Sequence, residues 1–221
     1  MSFRFPDFSK SVARVMLLVG LMDAAAMAQT VSFGGKVGLP ISDAFSLNGQ
    51  ASLVNNYTAD TRRFTAGPSV EVVLPSRLSI EADALYRRLS YASNPFGFDT
   101  FRATTTGNSW EFPVLIKRDV SSVALHPYGA LGVSFRRVEG TTTLSNGTIQ
   151  STQDPLELVR RWSTGFVAGG GVQLPLGPIR FLPEIRYTRW ANENFSAPSG
   201  VLNSNLNAVD FLVGVLFHKR P

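Results

Sequence analysis

The sequence predicts an all-β protein, an eight-stranded antiparallel up-and-down transmembrane β-barrel. Eight segments alternate apolar and polar residues at a period of two. The stretches between them run roughly twenty residues, three, sixteen, seven, twenty-two, five and sixteen. A wall that crosses a membrane produces this rhythm, with tight turns on one side and long loops on the other. The charged residues also recur on one face of the alternating segments, as expected for a barrel whose outside is apolar.

Residues 1–28 are read as a cleaved export signal. Arg4, Lys10 and Arg14 form a basic start, Val15 to Met22 an apolar core, and Ala26-Met27-Ala28 a small-x-small cleavage site. Residues 29–221 then form one barrel domain, a reasonable size for a single unit. Cysteine is absent, which excludes disulfides, thiolate chemistry and cysteine-type zinc sites. The net charge of +5 invites a nucleic-acid reading. No nucleic-acid-binding signature accompanies it, so none is expected as a partner.

The first strand is expected at about 31–39, with Val31, Phe33, Val37 and Leu39 outward and Lys36 inward. The second is expected at about 64–74, with Val70 and Val72 opposite Glu71. In the third, Leu78, Ile80, Ala82, Ala84 and Tyr86 lie opposite Ser79, Glu81, Asp83, Leu85 and Arg87. The fourth, about 109–117, sets Trp110, Phe112, Val114 and Ile116 against Glu111 and Lys117. The fifth, about 127–137, sets Leu131, Val133 and Phe135 against Tyr128, Ser134 and Arg136. The sixth, about 161–174, carries Trp162, Phe166, Ala168, Val172 and Leu174 on its apolar face. The seventh, about 180–190, sets Phe181, Ile185 and Tyr187 against Arg180, Glu184 and Arg186. The last sets Val209, Phe211, Val213, Val215 and Phe217 against Ala208, Asp210, Leu212, Gly214 and Leu216.

Each segment reaches the roughly 9–11 residues a tilted membrane strand needs. Phe64, Tyr86, Trp110, Trp162, Tyr187 and Trp190 lie near strand ends and suit an interfacial girdle. Pro68, Pro113, Pro127 and Pro183 are expected at bulges or strand ends, because proline donates nothing to a ladder.

The inward face collects Lys36, Glu71, Glu81, Asp83, Arg87, Glu111, Lys117, Arg136, Arg180, Glu184, Arg186 and Asp210. The two signs balance. A barrel of this strand number is only wide enough for side chains to fill. The expected filling is an ion-pair network, since an unpaired buried charge costs several kcal/mol. Glu81 and Asp83 could be read as an acid/base pair; support by arginines is the expected role.

Four double arginines occur, at 62–63, 87–88, 136–137 and 160–161, each expected where a strand meets a long loop. Alternation is expected to send one member of each pair inward and one outward. The outward set, Arg62, Arg88, Arg137 and Arg160, together with Arg189, would form a phosphate-binding collar. Ordinary charged flanking of an apolar band is the competing account.

Only His126 and His218 are available as imidazoles, and both fall at the short-turn end. No Ser-His-Asp, HExxH, P-loop or GxSxG pattern appears. No enzyme activity, cofactor or metal is therefore expected. Asn-x-Ser/Thr sequences at Asn56, Asn146 and Asn194 are read as polar loop composition.

Three segments, VSFGGKVGLPISDAF, HPYGALGVSF and FLPEIRYTRW, together with the closing VDFLVGVLF, resemble the bacterial outer-membrane β-barrel domain family, of the eight-stranded OmpA/OmpX-like type. The resemblance covers about Val31 to Phe217. It implies an outer-membrane location, with outer-membrane lipid, lipopolysaccharide and the barrel assembly machinery as partners. Lipopolysaccharide would supply the phosphates for the arginine collar. The terminal aromatic, Phe217, is similar to the assembly signal of that family, although His218-Lys219-Arg220-Pro221 extend past it. The expected role is structural or surface-interactive, through four long external loops of unknown partner. A small-solute pore and a secreted, soluble, lipocalin-like binding barrel are the alternatives.

Overall fold

A computed structural model describes residues 30–47, 55–59, 64–95, 102–120, 126–145, 150–197 and 202–218. The expected export signal therefore lies outside the described residues. In chain order the strands are β1 (Thr30–Pro40), β2 (Phe45–Leu47), β3 (Asn55–Ala59), β4 (Thr65–Leu74), β5 (Leu78–Asp83), β6 (Leu85–Pro95) and β7 (Arg102–Asp119). They continue with β8 (His126–Ser145), β9 (Gln150–Gln153), β10 (Trp162–Leu176), β11 (Ile179–Trp190), β12 (Leu202–Ser204) and β13 (Asn207–His218).

The wall is a ring of antiparallel pairs. β1 pairs β4, β4 pairs β5 and β6, these pair β7, and the ring runs on through β8, β10, β11 and β13 back to β1. With β5 and β6 acting as one strand, it is a closed eight-stranded barrel without a free edge. β3 and β9 extend the ladders of β6 and β8, and β2 pairs β12 in a separate two-stranded sheet.

The period of two separates outside from inside throughout. Phe33 is 65% exposed and Ile116 60%, whereas Lys36 and Lys117 are at most 1% exposed. Phe64, Trp110, Trp162 and Tyr187 project outward near the loop end, with Tyr86 half-buried among them. Trp190 departs from the expected girdle. It is 1% exposed and points into the lumen, because it shares the inward parity of Arg186 and Thr188.

The prolines also depart from expectation. Pro127 does lie near a strand start, but Pro68, Pro113 and Pro183 sit inside strands, each paired without a break on one side and facing a gap in the pairing on the other. The wall accommodates Pro68 and Pro113 by a single interruption, the Ala84 gap between β5 and β6. Ala84 N–H donates to Pro68 O at 3.0 Å, and proline cannot return the bond. On the other side, the pairing of β7 with β5 ends at Val114 and resumes with β6 at Glu111, so Pro113 faces the same gap. Gly67 lets the neighbouring backbone approach here: a Cβ at that position would lie 1.8 Å from Ala84 O.

Two expected loops are largely strand. β6, β7 and β8 run well past the predicted ends near 87, 109 and 137. Thr104, Thr105 and Thr106 face Thr143, Thr142 and Thr141 across the β7–β8 ladder, and the Thr105 and Thr142 hydroxyls are 2.7 Å apart. These runs resemble loop composition in polarity, but β-branched threonine favours a strand, and cross-strand threonine pairs support one.

Gly67→Val should lower barrel stability by about 1–3 kcal/mol or more, because rigid backbone meets the added group. Gly35→Ala, whose Cβ finds ordinary contact at 3.4 Å, should change it by less than about 0.5 kcal/mol. Urea unfolding in lipid vesicles measures both.

Candidate functional site

The lumen is crossed by a cluster of acids and bases contributed by five strands. Lys36 of β1 donates to Glu81 at 2.5 Å and Glu184 at 3.0 Å, with Asp83 at 3.5 Å. Arg186 of β11 contacts the same three carboxylates, Glu184 at 2.5 Å, Asp83 at 3.0 Å and Glu81 at 3.1 Å. Lys117 of β7 bridges Glu71 at 2.8 Å and Glu81 at 3.0 Å. Arg180 reaches Glu71 at 2.9 Å and donates to Ser32 and Gln173. Charge-assisted bonds of this kind are the strong ones, and each carboxylate here has a cation in contact. Glu81 sits at the hub, touched by Lys36, Lys117 and Arg186.

Apolar residues complete this part of the lumen. Leu115, Tyr128, Ala130, Val167, Leu182 and Leu216 form one buried cluster. Tyr128 joins the two materials: its ring lies 4.2 Å from Lys117 Nζ and its hydroxyl donates to Glu184 at 2.7 Å.

Toward the loop end Arg87 pairs Asp210 at 2.6 Å. Arg136 stacks 4.1 Å over the Trp190 ring. Glu111 shares the inward face with them and is buried. All twelve residues of the expected inward set thus face the lumen, ten of them buried and Arg136 and Arg180 half-buried. The structure joins ten of them in direct ion pairs; among the described residues, Arg136 and Glu111 are joined by none.

Over the mouth lies an apolar cap that periodicity does not reveal. Phe45 from the first loop and Phe195, Ala197 and Leu202 from the last pack on Leu89, Tyr91 and Val138 of the wall. Phe45, Tyr91 and Phe195 meet edge-on, with centroids 5.3 to 6.0 Å apart. The β2–β12 ladder, a Phe195 N–H bond to Ser204 Oγ at 2.9 Å and a Tyr91 hydroxyl bond to Glu157 at 2.9 Å hold the cap in place. Asn194, read as surface loop composition, is buried beneath it and donates to Arg160 O at 2.9 Å. Asn56 lies in β3, and Asn146 is outside the described residues. In the sequence, Phe45, Phe195 and Leu202 stand in short, largely polar stretches with no period, a weak signal.

The arginine collar is less regular than expected. Arg62 and Arg63 lie outside the described residues. Arg87-Arg88 and Arg136-Arg137 lie within β6 and β8 rather than at their ends, with Arg88 and Arg137 outward. Arg160 and Arg161 are both exposed, because the pair precedes β10 and strand alternation does not govern it. Arg137 pairs Glu139 at 2.5 Å, and Arg189 donates to Asn207 at 2.8 Å. Beside Arg137, the stacked rings of Trp110 and Phe112 border a shallow recess of about 480 Å³. His126 begins β8 and His218 ends β13, at the short-turn end. Among the described residues no group of acids and histidines could hold a metal.

Residues 27–190 match the family described as outer membrane protein beta-barrel domain. The solved structures similar to this fold include the outer membrane protein OprG from Pseudomonas aeruginosa. That match has 13% identity and a TM-score of 0.53, and covers 87% of this chain and 95% of that one. The attachment invasion locus protein Ail of Yersinia pestis is 10% identical with a TM-score of 0.41, over 86% of this chain and 97% of that one. No curated protein sequence matches.

Lys36→Met strips one cation from three buried carboxylates and should cost about 3–5 kcal/mol. Adding Glu81→Gln should recover part of that loss. The double-mutant comparison by urea unfolding in vesicles reads the coupling directly.

Proposed function

Because the chain belongs to the outer membrane protein beta-barrel domain family, we propose that it acts in the outer membrane as a closed, non-conducting barrel. Its role is structural and surface-interactive, exercised at the loop end. The observation that carries this reading is double occlusion: the ion-pair cluster fills the lumen, and the apolar cap covers the mouth above it. A solute would have to separate both. The export signal at 1–28 delivers the chain, and the barrel assembly machinery inserts it with the short turns on the periplasmic side. The loop end then faces outward, where β6 to β8 and the capped mouth form the contact surface. The role is not enzymatic; both imidazoles lie at the other end, and the inward carboxylates other than Glu111 are engaged by cations.

At the outer rim Arg88, Arg137, Arg160 and Arg189, with Arg62, bind the phosphates of lipopolysaccharide. The exposure of the four described guanidinium groups supports this, as does the aromatic recess beside Arg137.

Planar bilayers containing the protein should show no discrete conductance steps, and regular single-channel openings would overturn the plugged reading. Replacing Arg88, Arg137, Arg160 and Arg189 by Gln should abolish most of the stabilisation that added lipopolysaccharide gives the wild type. The unfolding midpoint with and without lipopolysaccharide measures it, and an unchanged increment rejects the collar.

A further inference from the structure

Most of the outer wall projects bulky apolar side chains, such as Phe33, Ile116, Leu131 and Phe166. One row does not. Register sets Arg118 of β7 beside Gly129 of β8, Gly129 beside Gly170 of β10, and Gly170 beside Ile185 of β11. Two neighbouring strands, about 4.8 Å apart, thus lack side chains at the same height. A Cβ on Gly129 would meet no atom within 4 Å, so no neighbour fills the gap. The next row toward the loops continues it with Ala168 between Leu131 and Tyr187. The result is a groove of about 990 Å³ on the outer wall, running from the turn at Ser76 to Phe166.

The short-turn end of this groove is cationic. Arg77 and Arg118 border it, both exposed. The turn is tied to β7 by the Asp119 N–H bond to Arg77 O at 3.1 Å, and Leu78 stands opposite Arg118, so the two arginines occupy diagonal positions on neighbouring chains. The one acid nearby, Asp119, accepts a bond from Gln173 at 2.7 Å. β7 ends at Asp119, so the guanidinium groups stand at the edge of the apolar belt, the depth of a lipid headgroup.

We propose that this groove seats a glycerophospholipid, its phosphate held by Arg77 and Arg118 and one acyl chain lying across Gly129 and Ala168 toward Phe166. Guanidinium groups suit phosphate oxygens, and a trough without side chains lets a chain lie against backbone, as small residues do between membrane segments. A second copy of the barrel fits this face poorly. Two copies inserted the same way and related by a two-fold axis would bring Arg77 and Arg118 against the same residues of the partner. The assignment to the periplasmic leaflet rests on the orientation proposed above; the seat itself does not.

The test is native mass spectrometry of protein refolded into phosphatidylglycerol vesicles and extracted in mild detergent. Wild-type protein should carry one retained phospholipid. Gly129→Phe, which fills open space, and Arg77→Gln/Arg118→Gln should each reduce the retained fraction about tenfold. Heat-modifiable gel migration checks that both variants still fold. A wild type carrying no lipid, or variants retaining as much as wild type, would overturn the proposal. A wild-type dimer lost in Gly129→Phe would overturn it too, in favour of self-association. Vesicle retention does not depend on which leaflet the short turns face, so a wrong orientation leaves this result intact.

Discussion

The structure depends on the cost of holding charge away from water. Closing eight strands produces a lumen that side chains must fill, and this sequence fills much of it with carboxylates, ammonium and guanidinium groups. Each inward acid that stood alone would favour opening the wall to solvent. Glu81 shows how this is avoided: it comes from β5, and its cations come from β1, β7 and β11. The ion pairs therefore run between strands far apart in sequence, and they tie strands that are not ladder neighbours, such as β1 and β5, across the lumen. Apolar residues could fill the same volume. They would specify less about which strand stands opposite which.

The wall has its own constraint, that every backbone group in the lipid belt must be paired within the barrel. Proline violates it, and two of the three prolines inside strands share one break, while Pro183 faces a separate gap between β10 and β11. Pro68 and Pro113 flank one interruption at Ala84, so a single break in one strand absorbs the missing donors of two neighbours. Gly67 brings the chains close at the same place.

Much of this was legible in the sequence. Strand parity follows from alternation, so the sequence alone assigns Lys36, Glu81, Glu184 and Arg186 to one side of the wall. It does not assign the pairing among them, because that depends on register between strands more than a hundred residues apart, as for Lys36 and Glu184. Trp190 lies near a strand end, where a girdle is expected, but parity decides its direction and turns it into the lumen. The extensions of β6 to β8 were missed because threonine and serine runs share their polarity with loops, and only β-branching separates them. The cap was invisible for a different reason. Phe45, Phe195 and Leu202 come from two loops, and no local pattern marks residues that meet only after the barrel has closed.

The unequal strand lengths make the molecule lopsided. β7 is 18 residues long and β8 is 20, against 12 each for β11 and β13, a difference of roughly 20–25 Å. The loop end is therefore a slope with a tall back formed by β6, β7 and β8. Among the described residues, a body settling on it from above meets that back on one flank only. Such a body would have a single preferred rotation about the barrel axis, and a flat membrane apposed to the rim would touch the high edge first.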